Sequence, residues 1–170
     1  PTGTLKWQKS IAGISGGQRR DYITDIALDE NNNIYLVGYT DTQAIDANDI
    51  WIIQSNNDGD LKEKRKISSP NGDEDLTQIR WVSNSTFMFV GVNQTTDNMI
   101  YGTFSYDGSN INVDFVKQVP ALGGYARNPR FTIDEYNDVF FLYDVFNNAN
   151  GKFERIQLGK IPLGDTNATY

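Results

Sequence analysis

Short apolar runs alternate along the chain with clusters of Asn, Asp, Gly and Ser, and no stretch keeps apolar residues at helical spacing. The pattern predicts strands joined by tight polar turns rather than helices. Its clearest instance is Asp25–Gly38, in which an apolar run ending at Leu28 and a second beginning at Ile34 flank Asp29-Glu30-Asn31-Asn32-Asn33. That is the signature of a β-hairpin.

The hairpin recurs. Asp25–Gly38 lies without a gap on Gln78–Gly91, at an offset of 53, and on Arg130–Tyr143 after a further 52. A third strand follows each copy, as Asp49–Ile53, Asn98–Tyr101 and Lys152–Leu158, and Asn57-Asp58-Gly59 and Tyr106-Asp107-Gly108 close the first two units. Another strand precedes each hairpin: Thr4–Lys9, Leu61–Ile67 and Ile111–Val116. The chain therefore divides into approximate repeats 3–59, 60–108 and 109–170 within a single repeat domain, 1–170.

Four antiparallel strands in a unit of about 40 to 50 residues is the size of a β-propeller blade. The central strands support that choice, since Ile34–Val37, Phe87–Val90 and Val139–Leu142 are apolar at successive positions and so present apolar side chains on both faces. A two-layer sandwich would instead alternate apolar with polar. The expected fold is all-β, with about three four-stranded antiparallel blades.

The run from Gly3-Thr4-Leu5-Lys6-Trp7 through Asp21–Asp29, Asn33–Thr40 and Asp49–Ile53 to Asp58-Gly59 resembles the seven-bladed-type β-propeller repeats of bacterial secreted and surface proteins. The resemblance implies a fold and an extracellular or cell-surface setting, and no particular ligand. The third copy departs from the pattern, with Tyr143 where Gly38 and Gly91 stand. Propellers close with about four to eight blades, so three repeats imply either a partial propeller, completed by further blades of the same protein, or half of a homo-oligomeric ring. The chain also starts at Pro1 and lacks a secretory apolar segment, which reads as a processed, recombinant or partial chain.

The net charge of −7 argues against nucleic acid or an anionic membrane as the main partner. Two basic clusters, Gln18-Arg19-Arg20 and Lys62–Lys66, read as a solvated loop and a solvated outer strand. No apolar run has the length of a spanning helix, so membrane insertion is not expected. Cysteine is absent, which removes disulfides, thiolate nucleophiles and sulfur-ligated metals.

Histidine is absent too, which excludes a Ser-His-Asp triad and the usual zinc sites. Among carboxylates, Asp21, Asp25 and Asp29 could be arranged for glycoside hydrolysis, but Asp21 and Asp29 sit where strands begin and end and read as turn-bonding residues. Asp29–Asn33 resembles the start of a calcium loop and then fails, with Ile34 and Thr40 where Gly and Glu are required. Gly13–Gln18 has neither the Lys nor the spacing of a phosphate loop.

Neither a cofactor nor a metal is therefore expected. Trp51 and Trp81 fall inside strands and read as core, leaving Trp7, Tyr39 and a loop residue, Tyr125, as candidate ligand-binding aromatics. The expected role is noncatalytic: adhesion, scaffolding or protein binding. The alternative is a lectin-like propeller that binds glycans between its blades.

Overall fold

The computed structural model describes residues 3–11, 21–42, 47–67, 73–147 and 149–162, and these contain eleven strands and no helix. The Gly13–Gln18 stretch and the Gln18-Arg19-Arg20 cluster lie outside the described residues. Strands β1 (Asp21–Leu28), β2 (Ile34–Thr42), β3 (Ala47–Ser55) and β4 (Leu61–Ile67) form one antiparallel sheet in that order. A second contains β5 (Glu74–Ser83), β6 (Thr86–Asn93), β7 (Asn98–Tyr106) and β8 (Ile111–Val119). The third contains β9 (Tyr125–Ile133), β10 (Asp138–Asn147) and β11 (Lys152–Pro162).

The sheets stack face to face, with the second in the middle. Alternation along each second strand sends odd and even positions to opposite neighbours. Phe87 and Phe89 join Tyr35, Val37, Ile50 and Ile52 in a core between the first two sheets. Met88 and Val90 join Ala126, Phe131, Val139, Phe141 and Tyr143 in a second core, between the last two. This is why the central runs are apolar without alternation.

The repeat extends to the backbone. In the first two sheets the inner strand bulges opposite a glycine, between Ile23 and Asp25 against Gly38 and between Leu76 and Gln78 against Gly91. A Cβ at Gly38 would sit 1.7 Å from the Tyr22 carbonyl oxygen, and one at Gly91 would sit 2.4 Å from that of Asp75. Glycine is required there by close approach of the neighbouring strand. In the third sheet the irregularity falls at Asn128-Pro129, with Asn128 at φ 51°, and Tyr143 takes the glycine position and reaches sideways to donate to the Pro120 carbonyl.

Several expectations need correction. Thr4–Lys9 is not a strand: among the described residues it joins none of the three ladders. Its counterparts Leu61–Ile67 and Ile111–Val119 are the last strands of the preceding sheets, so the hydrogen-bonded unit is offset from the sequence repeat. The expected three antiparallel blades are present, the third with three strands among the described residues. Trp81 is 37% exposed rather than core, its indole N–H donating to the Asn84 carbonyl across the β5–β6 turn. Tyr125 opens a strand instead of lying in a loop.

Candidate functional site

The turns at one end of the sheets are built by acidic and amide side chains. Asp29 Oδ1 accepts from the backbone N–H groups of Asn31 and Asn33, and Asp134 Oδ1 accepts identically from Tyr136 and Asp138. Asn32 and Asn137 take the left-handed conformation within these turns, at φ 60° and 63°. The Asp29–Asn33 stretch is thus a self-satisfied β-turn. Asp107 does the same for the β7–β8 turn, accepting from Ser109 and Asn110.

Two of these turns face each other across the first and second sheets and enclose a cleft of about 360 Å³, lined by Asp29, Asn33, Tyr35, Ser85, Tyr106 and Asp107 among others. Tyr35 reaches its floor from the start of β2, its hydroxyl donating to Asp29 Oδ2 at 3.4 Å. The Tyr35 and Tyr106 rings meet edge to face, 6.3 Å between centroids, and the Tyr106 N–H donates to the Ser85 carbonyl. Among the described residues, no Lys or Arg lines the cleft.

Burial, reinforced by the Asp29 carboxylate, raises the Tyr35 hydroxyl far above its ordinary value. Burial also raises Tyr106, with Glu63 and Asp107 adding to the effect. The turn N–H groups of Asn110 and Ser109, followed by the Asn112 amide, hold the Asp107 carboxyl below its ordinary range. At neutral pH the cleft therefore offers the Tyr106 hydroxyl and the ionised Asp107 carboxylate to hydroxyl- or N–H-rich groups. Among the described residues no group of three or more Asp and Glu side chains is placed to hold a metal ion.

The three aromatic residues singled out from sequence are not brought together. Trp7 lies over the outer face of the first sheet, its ring against Gly59, beside a cavity of about 240 Å³ shared with Ile11, Ile26, Ile34 and Leu36. Tyr39 stacks on Tyr22, 4.7 Å between centroids, and is raised by burial and then by Asp75. Tyr125 belongs to the third sheet, with the Arg127 guanidinium 5.5 Å from its ring centre. Sequence reasoning missed Tyr35 and Tyr106, and only the adjoining turn motifs Asp29–Asn33 and Tyr106-Asp107-Gly108 signalled them.

Asp25 is neither a turn residue nor in the cleft. Its carboxylate leaves β1 just after the bulge and accepts from the Ile79 N–H at 3.0 Å and from Arg80 at 3.1 Å, tying the first sheet to the second. Gln78, one repeat later, accepts from the Phe131 N–H at 2.7 Å and ties the second sheet to the third. The next equivalent is Arg130, a donor, which bonds backward to the Thr77 carbonyl.

No curated protein matches the chain as a relative. Among solved structures it is similar to the crystal structure of polysaccharide lyase Uly1, at 11% identity and a TM-score of 0.45, over 84% of this chain and 29% of that one. The chain thus spans less than a third of the length of that neighbour. Residues 12–43 match the SBBP family profile, described as a beta-propeller repeat. That stretch carries the first hairpin, whose residue pattern, inner-strand bulge and inter-sheet tie return in the sheet that follows; the chain is built of β-propeller repeats.

Proposed function

We propose that the chain is a noncatalytic β-propeller segment of a secreted or cell-surface protein, acting in adhesion, scaffolding or protein binding. The observation behind this reading is the contrast between equivalent positions in the middle and end sheets. Ile79 is fully buried against the first sheet, whereas its counterpart Ile26, on the outer face of the first sheet, is 55% exposed. Val90 is fully buried against the third sheet, whereas its counterpart Leu142 is 43% exposed, with Ile156 and Leu158 on the same face at 70% and 75%. Apolar faces at both ends of a stack mark protein-binding surfaces.

A glycan-binding role is the second reading, favoured by the cleft of Asp29, Tyr35, Tyr106 and Asp107 between two sheets. It does not repeat between the second and third sheets, where the counterparts of Asp29 and Tyr35 are Val82 and Met88. Titration of isotope-labelled protein with neutral and acidic oligosaccharides to millimolar concentration separates the two. The protein-binding reading expects no saturable amide shifts at Tyr35, Tyr106 or Asp107 and no shortened product. Saturable shifts confined to those residues would establish the lectin reading instead, and released fragments would contradict a noncatalytic role.

A further inference from the structure

Among the described residues the third sheet has three strands, and the chain itself carries a candidate for a fourth. Strand β11 is the counterpart of β3 and β7, which lie inside their sheets and are mostly buried. It pairs only with β10 among the described residues and leaves Phe153, Ile156 and Leu158 exposed. Beside its far end, a cavity of about 230 Å³ opens toward β8, lined by Val119, Leu122, Gln157 and Leu158. Between the first two sheets the fourth strand closes the outer side, where the Arg65 guanidinium of β4 donates to the Ile111 carbonyl of β8 at 2.7 Å.

The chain also carries a fourth-strand sequence that belongs to no sheet among the described residues. Thr4–Lys9 corresponds to Leu61–Ile67, and it already sits on the first sheet much as β4 sits on the second. Lys9 pairs with Asp60 in the β3–β4 turn of the first sheet, as Arg65 reaches the start of β8 in the second. Trp7 rests on Gly59 in the same turn. Leu5 is 73% exposed, and the segment has no ladder partner among the described residues.

We propose that Thr4–Lys9 of one copy is the missing fourth strand of the third sheet in a second copy, adding to the open edge of β11 while that sheet's outer face closes on Ile26, Leu28, Ile34 and Leu36 of the first copy. An unprotected strand edge is a template for such addition. The edge of β4, by contrast, carries Lys62, Lys64, Arg65 and Lys66. Made reciprocally, the exchange closes as a two-fold dimer. This rests on the protein-binding reading and names the partner.

The test is sedimentation equilibrium of the full chain alongside a double variant, Leu5→Pro with Gln8→Pro. Both positions are exposed and outside any ladder, so the folded monomer tolerates proline. They are an odd number of residues apart, so one of the two lost N–H groups faces β11 in any register. The expected result is a concentration-dependent dimer for the natural sequence, loss of the dimer in the variant with an unchanged circular dichroism spectrum, and saturable binding of a labelled Gly3–Ile11 peptide, but not its scramble, to the variant. A natural sequence that stays monomeric at millimolar concentration, or a variant that still dimerises, overturns the proposal. Either failure leaves the oligosaccharide titration intact, because that measurement reads the polar cleft between the first two sheets.

Discussion

At the scale of single residues, the carboxylates fix turns and join sheets. Asp25 supplies an acceptor to the N–H of Ile79, whose side chain is fully buried. Asp25→Ala should leave that donor unsatisfied at a cost of about 1–3 kcal/mol, measured by urea unfolding, whereas Asp25→Asn, which keeps an acceptor, should lose less. Equal losses for the two would show that the charge, and not the acceptor, matters.

Asp107 carries a pH signature. Turn N–H groups hold its folded pKa below the ordinary value of 3.8, so the stabilisation it gives the turn is complete above that value and is lost as pH falls through the folded one. The amide shifts of Ser109 and Asn110 should titrate with a midpoint below 3.8; a midpoint at or above it contradicts the assigned bonds.

At the scale of elements, the hairpins were legible in the sequence because an apolar run, a polar turn and a second run leave a local signal that repeats at offsets of 53 and 52. The sheet to which a strand belongs leaves no such signal. Leu61–Ile67 reads equally well as the opening of one unit or the close of another, and only pairing with β3 decides. Thr4–Lys9 has strand-like residues but, among the described residues, not the ladder that makes a strand. Trp81 looked like core because it sits in a strand, but it lies at the hairpin end, where the indole bonds the turn.

The cleft was illegible for a related reason: Tyr35 and Tyr106 come from different repeats, and only stacking brings them together. The bulge-facing glycines make an element-scale prediction. In Gly38→Ala the new methyl would meet the Tyr22 carbonyl and push β1 away, so the variant should lose about 1–3 kcal/mol or more. That corresponds to a fall of roughly 2–4 °C in Tm for each kcal/mol in a chain of this size. An unchanged melting temperature would remove the close approach as the reason for glycine.

At the scale of the whole molecule, the account makes the middle sheet a shared wall, with one core on each side and apolar faces left at both ends of the stack. The binding role and the strand exchange both follow from that modularity. The most direct test substitutes two adjacent residues of β6 that point to opposite neighbours, Met88→Ala toward the third sheet and Phe89→Ala toward the first, and measures each by urea unfolding. Both should be destabilised, by about 2–5 and about 3–5 kcal/mol respectively. A near-zero loss for either one would mean that β6 buries a single face, as in a sandwich, and would contradict the stacked-sheet account.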